Sequence, residues 1–223
     1  MIQSTQTDDL TGLLTRKAFR EAFTAALSTA RSSETEQPLA LGFIDIDNFL
    51  RINQDYGHVS GDEVLAAVAQ ILRQSIGAGD LPGRYGGDEF AVLLVGRERE
   101  QAFLLMEKLR LAVSQAAIQT RRGETIPGLA ISAGIAAFPV DGRTEAELLR
   151  KADQALYRAK VAGRNQVRLA YEEKMVPKTA HFTQTQLERL SLLAEAHKTS
   201  DADLLREAVD DLLTKYGVND IES

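Results

Sequence analysis

Two acids, Asp45 and Asp47, flank Ile46 at the exit of a short apolar run over residues 39–46. Carboxylates closing a buried strand suit a hard divalent cation. Mg2+ takes one or two carboxylate oxygens and fills its remaining positions with water and substrate phosphates. A second acidic pair, Asp88-Glu89, follows Gly86-Gly87 between two strand-like runs, 81–85 and 89–95. If those runs neighbour the first, Asp45 and Asp88 face one ion. Asp55 and Asp62 lie close by in sequence. Lys160 and Arg164 are four residues apart at a helix end marked by Gly163, a spacing that lets both grip a triphosphate. Simpler alternatives stand beside each reading: acids that solvate strand ends, and cations that favour a helix C-terminus on electrostatic grounds. Residues 53–58, Asn-Gln-Asp-Tyr-Gly-His, read as a turn-rich stretch. Its Asn and Asp side chains could read a base edge, or Asn53 could be a plain turn residue. His58 reads as a structural hydrogen-bonding side chain.

The surrounding pattern supplies elements to hold these groups. Apolar residues at Phe19, Ala22, Phe23, Ala26 and Leu27 predict an amphipathic helix over 15–30. A strand is expected over 39–46, a helix over 61–76, a hairpin turning at Gly86-Gly87, a helix over 98–117 and a strand over 130–138. Thr144, with Glu147 three residues on, opens a helix over 144–162 through a capping box, and 166–169 is a last strand. A hairpin amid alternating helices and strands predicts an α/β (α+β) fold with a central mixed sheet flanked by helices, rather than a doubly wound parallel one.

The 223 residues contain no cysteine, which excludes a disulfide framework and thiolate metal sites. No apolar run reaches the length of a membrane helix and the N-terminus lacks a signal pattern, so no membrane partner and a cytoplasmic location are expected. The net charge of −6 argues against a nucleic-acid binder. Most of it lies after residue 170: residues 171–223 hold 6 Lys/Arg and 11 Asp/Glu. The expected organisation is a main domain over 1–170, a linker over 171–178 containing Pro177, and a segment over 179–217 with a short extended piece and two helices, 184–196 and 201–216. The apolar stripes of those helices need a partner, and a second copy of the chain is the simplest one.

Five motifs, in order, resemble the GGDEF family of diguanylate cyclases. They are Asp8-Asp9-Leu10-Thr11-Gly12-Leu13; Asp45-Ile46-Asp47-Asn48-Phe49; Tyr56-Gly57-His58 with Gly61-Asp62; Arg84-Tyr85-Gly86-Gly87-Asp88-Glu89-Phe90; and Ala155-Leu156-Tyr157-Arg158-Ala159-Lys160 with Gly163-Arg164-Asn165. The resemblance covers residues 8–170 and implies a cyclase-type palm that condenses two GTP into cyclic di-GMP. It implies Mg2+, with Mn2+ as an alternative, held by Asp45, the Ile46 carbonyl and Asp88. Glu89 would support the metal or the proton transfer. Gly86 and Gly87 would let the backbone approach the nucleotide, Asn53 and Asp62 would recognise guanine, and Lys160 and Arg164 would hold the β- and γ-phosphates. The backbone at Phe49 would cradle the phosphates. Asp62, where ATP-accepting relatives carry Ser, favours GTP alone. A symmetric product requires two loaded domains facing each other, hence a homodimer.

This sequence departs from the family pattern at Leu50, where Lys is usual, and at Gln54, where Asp is usual. The family's product-inhibition motif, Arg-x-x-Asp, is here Gly77-Ala78-Gly79-Asp80. Residues 179–217 resemble a ribbon-helix-helix dimerisation unit. Its outward ribbon positions, Pro177, Thr179 and His181, lack Arg and Lys, and Asp201 and Asp203 would repel a phosphate, so DNA is not the expected partner. Docking of another protein at the tail is the remaining option. Two other functions stay open: a catalytically weak GTP-binding effector, and a ribbon-helix-helix DNA regulator with a cyclase-like sensor.

Overall fold

The structure, a computed structural model, describes residues 6–32, 36–121, 123–170, 179–197 and 200–216. The chain divides into two compact units, Met1–Glu173 and Lys174–Ser223.

The first unit is built on two strands buried along their whole length, β2 (Leu39–Ile46) and β7 (Ile131–Phe138). Strands covered on both faces read as continuous apolar runs because neither set of alternating side chains meets water. Around them lie β1 (Leu14–Thr15), β3 (Leu81–Arg84), β4 (Glu89–Val95) and β8 (Val167–Leu169), in the order β1-β3-β4-β2-β7-β8. The edge pairs β1/β3 and β7/β8 are parallel and the inner pairs antiparallel, so the sheet is mixed.

Helices cover both faces. Leu39, Leu41 and Phe43 of β2 face α1 (Arg16–Ser32) and α5 (Glu145–Val161), burying Phe19, Phe23, Leu27, Leu148, Ala152 and Leu156. The alternate residues Ala40, Ile44 and Ile46 pack with Val64, Leu65 and Val68 of α3 (His58–Ser75) and with Ala102, Met106 and Leu109 of α4 (Arg99–Gln115). Gly134 of β7 lets α5 lie directly on the sheet, since a Cβ there would collide with the Ala152 carbonyl and the Leu156 amide. The Thr144–Glu147 capping box forms in both directions, with Glu147 N donating to Thr144 Oγ1 at 3.2 Å and Thr144 N donating to Glu147 Oε2 at 3.0 Å. The Glu147 carboxyl is held below its usual range by the backbone N–H groups of Arg143 and Thr144.

Three features depart from the pattern expected of the sequence. The stretch expected as turns is mostly a helix, α2 (Phe49–Tyr56), and α3 starts at His58 rather than 61. The reason is a spacing of Phe49, Ile52 and Tyr56 that packs one face of α2 on the core, with Gly57 at φ 83° breaking α2 from α3. A small hairpin, β5 (Ile118–Gln119) with β6 (Thr125–Ile126), follows α4. Residues 179–183, expected to be extended, form no strand; a ribbon strand has no hydrogen-bonding partner within a single chain.

The second unit contains α6 (Gln184–His197) and α7 (Asp201–Lys215). Pro177 and the expected linker lie outside the described residues. No helix among the described residues is long and apolar enough to cross a membrane.

Candidate active site

Adjacent strands β2 and β4 bring the two acidic pairs together. Asp45 is in register with Glu89, and Ile46 N donates to the Asp88 carbonyl at 3.2 Å. Asp45 is 7% exposed and its carboxylate lies 2.7 Å from Lys160 Nζ, which arrives from the last turn of α5. Burial pushes the Asp45 carboxyl up to about 6; the Lys160 hydrogen bond and charge oppose that, and the Asp88 and Asp47 carboxylates reinforce it. A buried carboxylate crowded by two others is stabilised by a neighbouring cation, and the Lys160 ammonium is one.

The turn before Asp88 is fixed by the backbone. Tyr85 N and Gly86 N both donate to the Glu89 carbonyl, at 2.8 and 3.2 Å. Arg84 donates through Nε and Nη2 to the Gly87 carbonyl and through Nη1 to Asp8. Asp8 also accepts from Thr11 N and Oγ1 at 2.9 and 2.7 Å. Burial pushes the Asp8 carboxyl up, but the two Thr11 bonds and the Arg84 charge outweigh it and hold it below its usual range. The motif at residues 8–13 thus clasps the turn that presents Asp88. Arg84 gave the sequence reading only a family match, and its partner lies 76 residues away.

Asn53 and Asp62 lie on α2 and α3, either side of the break at Gly57. Asn53 is half-buried with Oδ1 lying over Gly61, where a Cβ would collide with it and would come within 3.3 Å of Phe49 Cζ. Asp62 follows, exposed, just past the first turn of α3. Phe49 opens α2 after Asn48, which is left-handed at φ 57°. Arg164 is exposed and lies outside the Asp45–Lys160 pair. Leu50 is 70% exposed, and His58 is exposed at the start of α3.

Among the described residues no three acids or imidazoles converge into a complete metal cage. Asp45 and Asp88, with the Ile46 carbonyl between them in sequence, offer a partial set of hard oxygen donors. That fits a cation whose other positions belong to water and substrate.

The mixed sheet thus puts the paired carboxylates of its central strand and neighbouring hairpin at one end, beside a helix carrying a lysine. Residues 5–166 match the family described as Diguanylate cyclase, GGDEF domain, and the chain belongs to that family. Diguanylate cyclase DgcP of Pseudomonas aeruginosa is 41% identical over 168 residues, 75% of this chain and 24% of that protein. Response regulator PleD of Caulobacter vibrioides is 37% identical over 161 residues, 72% of this chain and 35% of PleD. The chain therefore spans about a quarter to a third of the length of these two relatives. Among solved structures, the GGDEF domain of DgcB from Caulobacter crescentus in complex with c-di-GMP is 30% identical with TM-score 0.70, covering 76% of this chain and 98% of that one. The active GGEEF domain of a diguanylate cyclase from Vibrio cholerae is 34% identical with TM-score 0.66, covering 72% and 99%.

Proposed function

We propose that this chain is a diguanylate cyclase that condenses two GTP into cyclic di-GMP and two pyrophosphates. The observation that carries the proposal is the junction of β2 and β4, where buried Asp45, adjacent Asp88 and Lys160 meet within an intact signature. Asp45, the Ile46 carbonyl and Asp88 would hold Mg2+, which when bound neutralises phosphate charge and acidifies the attacking hydroxyl. Lys160 exchanges Asp45 for a phosphate oxygen when the triphosphate arrives, and Arg164 grips the phosphates from the turn beyond. The Gly86-Gly87 turn admits the nucleotide against the backbone, and the N–H groups at Phe49 cradle the phosphates. The Glu89 carboxylate supports proton removal from the ribose 3′-hydroxyl. Each 3′-oxygen attacks the α-phosphorus of the facing GTP and pyrophosphate leaves; two such displacements close the ring. A pyrophosphate assay must then count two pyrophosphates for each ring formed. Pyrophosphate without ring product would overturn the proposal.

Asn53 and Asp62 are assigned to guanine. Gly61→Ala would push Asn53 off its seat, so GTP KM is expected to rise about tenfold with kcat little changed, the loss of one well-placed hydrogen bond or two. Steady-state kinetics decide it, and an unchanged KM would remove Asn53 from the guanine site.

Asp80 sits where the family's product-inhibition motif ends, yet its carboxylate is buried and occupied. It accepts from Gly77 N at 2.7 Å, Val95 N at 3.1 Å and Arg97 at 3.1 Å. With Gly77 in place of Arg and Asp80 consumed internally, cyclic di-GMP is expected not to bind there. Calorimetric titration showing a tight isotherm that Asp80→Ala abolishes would contradict this.

The second unit is proposed as the dimerising segment, in the manner of a ribbon-helix-helix unit. Its support is an uncovered apolar surface: Leu187, Leu192, Leu193, Val209, Leu212, Leu213 and Tyr216 are exposed, and Ala194 is the one buried apolar residue among those described. A second copy of the chain would cover that surface.

A further inference from the structure

Asp47 has no part in the chemistry so far, yet it is the more thoroughly bonded of the two acids at the end of β2. It is 6% exposed. One carboxylate oxygen accepts from Ser132 Oγ at 2.8 Å and the other from the backbone N–H of Asn165 at 2.9 Å. Its own N–H donates to the Ala130 carbonyl at 2.9 Å. Both side-chain oxygens are therefore used within the protein, on partners from β7 and from the turn after α5.

That turn is unusual. Gly163, Arg164 and Asn165 are all left-handed, at φ 110°, 63° and 49°. Two consecutive non-glycine residues in that region are strained and persist only where surrounding contacts enforce them. The enforcing contacts are specific. Asn165 N is held by Asp47, and Asn165 Oδ1 accepts from Arg110 Nη1 at 3.0 Å. Arg110 is itself gripped by both oxygens of Glu107, at 3.1 and 3.0 Å. Arg164 N donates to the Ala159 carbonyl, tying the turn to α5. The Arg164 side chain is left exposed and makes no ion pair among the described residues.

We propose that Asp47 is a positioning residue for substrate: by holding Asn165 N against the end of β2, it keeps the strained 163–165 turn in the one conformation that aims the Arg164 guanidinium at the nucleotide's terminal phosphates. The inference rests on the reading of Arg164 as a phosphate ligand. It gives the two acids of Asp45-Ile46-Asp47 different duties. Asp45 holds Lys160 directly, whereas Asp47 sets Arg164 through the backbone, so both phosphate-gripping cations are registered from one strand end.

The test is calorimetric titration of the full chain, with Mg2+, using 3′-deoxy-GTP, which lacks the attacking hydroxyl, and GMP, which lacks the terminal phosphates. Asp47→Ala is expected to weaken 3′-deoxy-GTP binding about tenfold, as expected for a misplaced charged hydrogen bond, and to leave GMP unchanged. In the Asp47→Ala background, Arg164→Ala should add less than about twofold, because its contact is already lost. Asp47→Asn should retain most of the affinity, since an amide can accept from Asn165 N and donate to Ser132 Oγ. Equal losses for GMP and the triphosphate analogue, additive effects of the two alanines, or an Asn variant as weak as the Ala variant would each overturn the proposal. Should Asp47→Ala fail to fold, Ser132→Ala frees one side of the carboxylate; weaker analogue binding with GMP unchanged supports the proposal, and unchanged binding of both overturns it. The titrations need no turnover. A chain that shows this pattern without forming the ring overturns the cyclase reading alone, and one that binds neither nucleotide overturns both.

Discussion

Asp45→Asn is expected to abolish cyclic di-GMP formation while making the metal-free protein more stable at pH 8. The two effects share a cause. Burial pushes the Asp45 carboxyl up to about 6 from 3.8, even with Lys160 beside it, so ionising it in the folded chain is unfavourable. An acid with a raised folded pKa contributes stability in full below its unfolded value, and that contribution is lost as pH rises through the folded value. Between pH 4 and pH 6 the parent should therefore lose stability relative to the amide. Above that window the difference is constant, on the order of 1–3 kcal/mol for a shift of about two units. Below about pH 4 the two proteins should coincide. Asn retains the side chain's volume, and Lys160 is partly exposed and can turn to water. Denaturant unfolding in the presence of a chelator, at steps from pH 4 to pH 8, measures the stability. A variant less stable than the parent at pH 8 would show that the Lys160 pair more than offsets the burial. Its lost turnover, expected at 10²-fold or more (roughly 2.7 kcal/mol of transition-state stabilisation), reads the other half of the prediction.

Removal of residues 171–223 is the second large effect expected. The chemistry needs two GTP-loaded domains face to face, and among the described residues of the second unit eight large apolar side chains are exposed, which a second copy would cover. Tethering two domains through such a unit raises their effective concentration, so turnover at micromolar protein should fall roughly tenfold or more on deletion. It should recover as protein concentration increases, because the catalytic domains are intact. Sedimentation velocity on both proteins gives the oligomeric state at the same concentrations. A deletion variant that stays monomeric and keeps full turnover would remove the tail from the catalytic account.

What could be read from the sequence divides along physical lines. The strand at 39–46 and the hairpin arm at 89–95 carry dense apolar runs, and they lie where those signals place them; the arm at 81–84, Leu-Pro-Gly-Arg, was legible from the Gly86-Gly87 turn that follows it. The Thr144–Glu147 capping box is local chemistry and was equally visible. Helix α2 was hidden because Asn53, Asp55 and Gly57 carry strong turn preferences, which the packing of Phe49, Ile52 and Tyr56 overrides. The Asp45–Lys160 pair and the Asp47 contacts with Ser132 and Asn165 join residues distant in the chain, and spacing alone cannot bring such partners together. Within the tail the helical stretches were legible from their apolar spacing. The extended piece at 179–183 was not, because a strand there needs a partner that one chain does not provide.

The most direct test of the central claim is to incubate the parent and Asp88→Ala proteins with GTP and Mg2+ and identify the nucleotides by chromatography with mass detection. Cyclic di-GMP from the parent and none from the variant is the predicted result. A parent that binds GTP as a dimer yet forms no ring would contradict the cyclase account and point to a nucleotide-binding effector. Ring formation that survives Asp88→Ala would contradict the assignment of the site.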